Sequence, residues 1–177
     1  MTSARMTIDE INALDQEAFV AALGSLFEDS PWIVAEAWRG RPFESIAHLH
    51  SALCDVLHHV STEQQVTLIR AHPDLVGKAA LAGTLTPEST REQASAGLDR
   101  LSLEEIATFT QLNQAYKDRF GFPFVICARQ NKKDSILAGF TWRLENSRGE
   151  EVAAALGEIT KISYLRLLDK VATEDEL

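Results

Sequence analysis

Five histidines come first, because imidazole is both a metal ligand and a base that titrates near neutrality. They are His48, His50, His58, His59 and His72. The first four fall in one predicted helix over 45–60. Asp55 and His59 share a face of that helix as an i, i+4 pair, which is a spacing able to chelate a metal. His48 lies on that face too. Its separation from Asp55 is about 10.5 Å at a rise of about 1.5 Å per residue, too far to share one ion. No HExxH motif is present. The simpler reading of these four is surface or partly packed histidine, and no metal site is expected. His72 differs, standing in Ala71-His72-Pro73-Asp74-Leu75. A residue before proline is pushed out of the helical region, so the imidazole leaves the helix surface. It either marks the helix stop or is presented to a cavity as a general acid–base.

Ser89-Thr90-Arg91-Glu92-Gln93 also has two readings. Ser89 and Glu92 fit an S-x-x-E capping box. Thr86-Pro87 offers an earlier helix start. A helix from Pro87 puts Ser89, Glu92 and Gln93 on one face, a hydroxyl, a carboxylate and an amide suited to a small polar ligand. Phe122-Pro123-Phe124-Val125-Ile126, after Gly121, cannot be regular helix. Its backbone N–H and C=O groups need partners if buried, from the protein or from a ligand. Phosphate-binding glycine motifs and a GxSxG elbow are absent. Cys54 and Cys127 form no CxxC pair, so neither a zinc site nor a disulfide framework is indicated.

Helix signals position these residues. Asp15 can cap a helix with Phe19, Ala22, Leu23, Leu26 and Phe27 inward. Ser30-Pro31 starts a second, and 45–60 is a third, with Leu49, Leu53 and Leu57 on its apolar face. Ser61 with Gln64 opens a fourth that Pro73 ends. Residues 73–86 read as a long irregular connection. Further helices are predicted from Thr86-Pro87 to about Gly97, from Ser102 through Tyr116, over 134–146, and over 149–171. The expected fold is all-α, a single compact bundle of about eight helices, with one short extended segment near 122–127. One domain over 1–177 is expected.

The chain has 177 residues, 45% of them apolar and 24% charged, which is globular composition. Its net charge of −9 argues against a nucleic-acid partner. No apolar run reaches the roughly 18 residues of a membrane span. Residues 1–10 lack a signal-peptide layout, and the C-terminal Glu174-Asp175-Glu176-Leu177 is neither a retrieval nor a peroxisomal tail. A cytoplasmic protein is expected.

Three blocks in order resemble the OHCU decarboxylase family: Ala71-His72-Pro73-Asp74-Leu75; Ser89-x-x-Glu92-Gln93 with Ala96-Gly97-Leu98; and Phe120-Gly121-Phe122-Pro123-Phe124. Arg143-Leu144-x-Asn146, Glu158-Ile159 and Arg166-Leu167 are similar too. The likeness spans about residues 15–170. It implies an all-helical homodimer without metal or organic cofactor. The implied reaction converts 2-oxo-4-hydroxy-4-carboxy-5-ureidoimidazoline (OHCU) to (S)-allantoin and CO2. His72 and Glu92 match the family's catalytic residues. Pro73, Ser89, Gln93, Phe124, Val125, Ile126 and Arg166 match its substrate-binding positions. The alternatives are a non-catalytic helical module binding a small molecule in the same pocket, a metal-dependent hydrolase, and a structural helical partner.

Overall fold

The eight expected helices all form in the computed structural model, which describes residues 4–176, and two short ones join them. The ends read for targeting signals extend outside it at residues 1–3 and 177. The described residues contain no strand, only an isolated bridge between Met6 and Val171. They divide into two compact units, one of residues 4–68 with 160–176 and the other of 69–159.

The first unit holds α1 (Ile8–Ala13), α2 (Gln16–Leu23), α3 (Pro31–Ala37), α4 (Ile46–His59) and the start of α5 (Thr62–Ala71). α1 was not anticipated. It starts at a reciprocal capping box of Thr7 and Glu10. Asp15 caps α2 through Ala18 N–H, and Ser45 caps α4 through His48 N–H. Ser30 makes no side-chain cap, and Pro31 alone opens α3. Phe19, Ile33, Leu49, Leu53 and Leu57 are fully buried, which is the helical periodicity of α2 to α4 turned inward.

The second unit holds α6 (Lys78–Ala82), α7 (Pro87–Ser95), α8 (Leu103–Phe120), α9 (Lys133–Leu144) and the first part of α10 (Arg148–Lys170). α6 interrupts the connection expected to be irregular. Its Lys-Ala-Ala-Leu-Ala run favours helix, and Gly83, at φ +71°, ends it after little more than one turn. Ser102 and Glu105 cap α8 reciprocally, and Gly121 at φ +79° terminates it. The chain then runs without helix through 122–127, buried along its whole length, to a short turn at Ala128–Gln130. Aromatic packing seats this segment. Phe124 stacks on Phe140 of α9 at 3.8 Å between centroids, and Tyr116 of α8 meets Phe124 edge-on at 5.3 Å. A Cβ at Gly139 of α9 would stand 3.5 Å from Phe124 and 3.6 Å from Ile126, ordinary packing distances that show α9 lying directly against the segment.

Candidate active site

α5 ends at Ala71, and His72 N–H still bonds the Ile69 carbonyl, at 3.1 Å, before Pro73 turns the chain away. The His72 side chain is buried in the second unit. Its loop is tied down from two helices. Gln93 of α7 accepts from Val76 N–H (3.1 Å) and donates to the Asp74 carbonyl (3.3 Å). Asn113 of α8 donates to the Leu75 carbonyl (2.7 Å), and Lys117 pairs with Asp74 at 2.6 Å. These bonds hold Val76 at φ +55°, a left-handed conformation that costs a β-branched residue about 1–2 kcal/mol. Gly77 follows by necessity, because a Cβ there would lie 2.6 Å from that of Asp74.

α7 settles the choice left open by its sequence. Thr86 caps it through Ser89 N–H, so Ser89 is inside the helix rather than at its cap. The helix buries Ser89, Glu92 and Gln93 and no apolar side chain. An amphipathic helix ordinarily buries its apolar stripe, and taking a carboxylate out of water is costly. A small helix whose hidden face is hydroxyl, carboxylate and amide is built to meet polar groups. α7 also packs on the turn at Ala128–Gln130. The thiol of Cys127 is pushed up by burial and further by the negative charges of Glu158 and Glu92. Glu92 therefore lies within electrostatic reach of Cys127.

In that segment the Val125 carbonyl accepts from Arg143. Among the described residues, no protein acceptor takes the N–H groups of Phe124, Val125 or Ile126. Buried backbone N–H groups without partners are rare. They are donors that a bound polar ligand can satisfy.

His72, Pro73, Ser89, Glu92, Gln93 and the backbone of 124–126 all belong to the second unit, where Gln93 is bonded to the loop that follows His72. Arg166 belongs to the other unit, where it is buried, pairs with Glu28 at 3.0 Å and donates to the Ser25 carbonyl at 3.2 Å. The α4 histidines are engaged elsewhere. His48 Nδ1 accepts from Glu44 N–H, while His50, His58 and His59 donate to the carbonyls of Thr160, Cys54 and Asp55. Among the described residues, no group of three or more metal-ligating side chains is assembled. Sequence reasoning missed Glu28, Asn113 and Lys117, and a cluster of buried Tyr116 and Glu151 with half-buried Arg143 and Asn146. The sequence marks Arg143 and Asn146 as parts of a motif with no chemistry attached, and Tyr116 only as part of a helical spacing.

The family whose model matches this chain is described as OHCU decarboxylase, over residues 12–168. A 2-oxo-4-hydroxy-4-carboxy-5-ureidoimidazoline decarboxylase of Halalkalicoccus jeotgali is 39% identical, across 97% of this chain and 95% of the relative. A protein of the same name from Haloferax volcanii is 40% identical, across 96% and 98%. Among solved structures, a crystal structure of (S)-allantoin synthase superposes with a TM-score of 0.73 at 27% identity. That likeness covers 94% of this chain and 54% of the other, so the chain spans about half of that protein.

Proposed function

Because this chain belongs to the OHCU decarboxylase family, we propose that it removes CO2 from 2-oxo-4-hydroxy-4-carboxy-5-ureidoimidazoline, leaving (S)-allantoin, with His72 and Glu92 as the catalytic residues. It is a carboxy-lyase of urate degradation. The observation that carries the assignment of residues is the buried polar face of α7, whose Gln93 is bonded to the backbone of the His72 loop.

The substrate carries hydroxyl and carboxylate on one ring carbon, beside a C=N bond. When the C–CO2 bond breaks, its electron pair forms a carbon–carbon double bond within the ring. The C=N pair moves onto nitrogen, which takes a proton. The substrate is its own electron sink, so the protein's work is orientation and proton handling. His72 takes the hydroxyl proton as that carbon becomes a carbonyl, while the pair of the carbon–carbon double bond takes a proton at the adjacent, ureido-bearing carbon. Glu92 orients the ureido and ring N–H groups and relays a proton to the ring. Ser89, Gln93 and the Pro73 turn fix the pose. The backbone N–H groups of Phe124 to Ile126 donate to substrate oxygen or nitrogen. Arg166 supplies a cation for an anionic or carbonyl group, a role that rests on the family resemblance. With a net charge of −9, attraction of an anion has to be local. A cytoplasmic homodimer completes the reading. The exposed side chains of Leu103 and Trp142 are apolar surface that such a pairing can cover.

The test is turnover in a coupled assay. Substrate is generated in place from urate, and optically active allantoin is followed by circular dichroism. His72→Ala should abolish the fast chiral signal while leaving the far-ultraviolet helical spectrum unchanged. Undiminished turnover in that variant would remove His72 from the chemistry.

A further inference from the structure

We propose that Arg143 is a positioning residue that aims and polarises the Ile126 N–H toward the substrate by gripping the Val125 carbonyl. The inference rests on the reading that the 124–126 backbone faces the substrate.

A trans peptide group is planar, so the carbonyl of one residue and the N–H of the next point in opposite directions in one plane. Whatever holds the Val125 oxygen therefore sets the direction of the Ile126 N–H. Arg143 Nη1 is that holder. The same guanidinium lies over the Phe124 ring, with Cζ 4.3 Å from its centroid, so both the carbonyl and the preceding side chain are fixed by one group. Of the two ends of this peptide, one is taken by Arg143 and the other has no protein acceptor among the described residues.

The guanidinium is itself braced. Its Nε donates to Glu151 Oε1 at 2.7 Å, and Glu151 is 0% exposed. Tyr116 OH donates to the same oxygen, and Asn146 Nδ2 donates to the other at 2.9 Å. The aromatic cage around Tyr116 includes Phe120, Phe122, Phe124 and Phe140. A buried ion pair is weak support for stability, since apolar residues of like volume often serve as well. This pair ends on a backbone carbonyl in the segment that carries the unpartnered N–H groups. A cationic donor on that carbonyl also polarises its peptide group and strengthens the N–H at the other end. A point charge cannot reproduce this. Lysine can serve Glu151 or Val125, whereas the planar fork serves both.

The experiment is a set of variants measured for kcat, KM and thermal midpoint, with optically active allantoin as the readout. Arg143→Lys should lower kcat about 10- to 100-fold, with KM within about threefold, since misplacing a preorganised donor costs chemistry more than binding. Tyr116→Phe removes a brace on Glu151 and the 3.4 Å bond that its hydroxyl accepts from Arg143 Nη2, but leaves the Val125 bond, so it should lose thermal stability with a fall in kcat well short of that in Arg143→Lys. If Arg143→Lys does not fold, Arg143→Met combined with Glu151→Gln removes both charges together and should show the same fall in kcat. A kcat within about twofold of the unmodified enzyme in a folded Arg143 variant overturns the proposal. So does an equal loss of kcat in Tyr116→Phe. His72→Ala, run alongside, separates the layers. If it is dead while Arg143→Lys is fully active, only the positioning role falls. If it is active, the catalytic reading falls and takes this inference with it.

Discussion

The loop that follows His72 is held by Gln93, which touches it twice. The Gln93 side chain gives one hydrogen bond and takes another, so it needs to be an amide. Gln93→Glu keeps the acceptor for Val76 N–H and turns a negative charge on the Asp74 carbonyl. We expect a stability loss of about 1–3 kcal/mol by urea titration, with kcat lowered as the loop loosens. A variant as stable and as active as the original would mean that the loop is held without Gln93. The identity of these residues was legible in the sequence, and the partnership was not. Spacing placed Ser89, Glu92 and Gln93 on one face. It could not say that this face is buried, because α7 has no apolar stripe to orient it. Glu28 was invisible for another reason. It pairs with Arg166 across 138 positions of sequence, and nothing local marks an acid for such a partner.

At the scale of elements, the helices were read from their starts and stops. Asp15 and Thr86 cap the helices that the sequence starts at them, and Gly121 ends α8 as a left-handed glycine. The two short helices escaped because five or six residues carry too little periodicity to register. Two predictions belong here. Thr86→Ala removes the cap of α7 and should cost about 1 kcal/mol in chemical denaturation, with the buried polar face and kcat preserved. Gly121→Ala places a side chain at φ +79°, at the hinge between α8 and the extended segment. It should cost about 1–2 kcal/mol. Since the Gly121 carbonyl also accepts from Arg70 at 2.9 Å, turnover should fall with it. The absence of a shift in the denaturation midpoint for either variant would contradict the assignment of that helix end.

For the whole molecule, acidity and composition set the conditions of work. Burial depresses the pKa of His50 below its ordinary 6.5, although its hydrogen bond to the Thr160 carbonyl pulls the other way. The unfolded chain then takes up this proton first as pH drops. Stability contributed by neutral His50 is complete above about pH 6.5 and is lost as pH falls from there toward the lower folded value. His50→Gln retains an amide donor for Thr160 and has nothing to titrate. Its thermal midpoint should fall less between pH 7.5 and 5.5 than that of the original, and parallel curves would rule His50 out as the source. The all-α class could be read from the sequence throughout, because helical periodicity and caps recur along it. The two compact units could not, because no linker or change of composition marks residue 69 or 160. The most direct test of the central claim is the coupled assay, in which a urate oxidase and a hydroxyisourate hydrolase supply the unstable substrate and circular dichroism follows the product. A fast chiral signal that vanishes in His72→Ala and is strongly reduced in Glu92→Gln is the expected result. Slow, racemic decay at the same rate with and without the protein would contradict it.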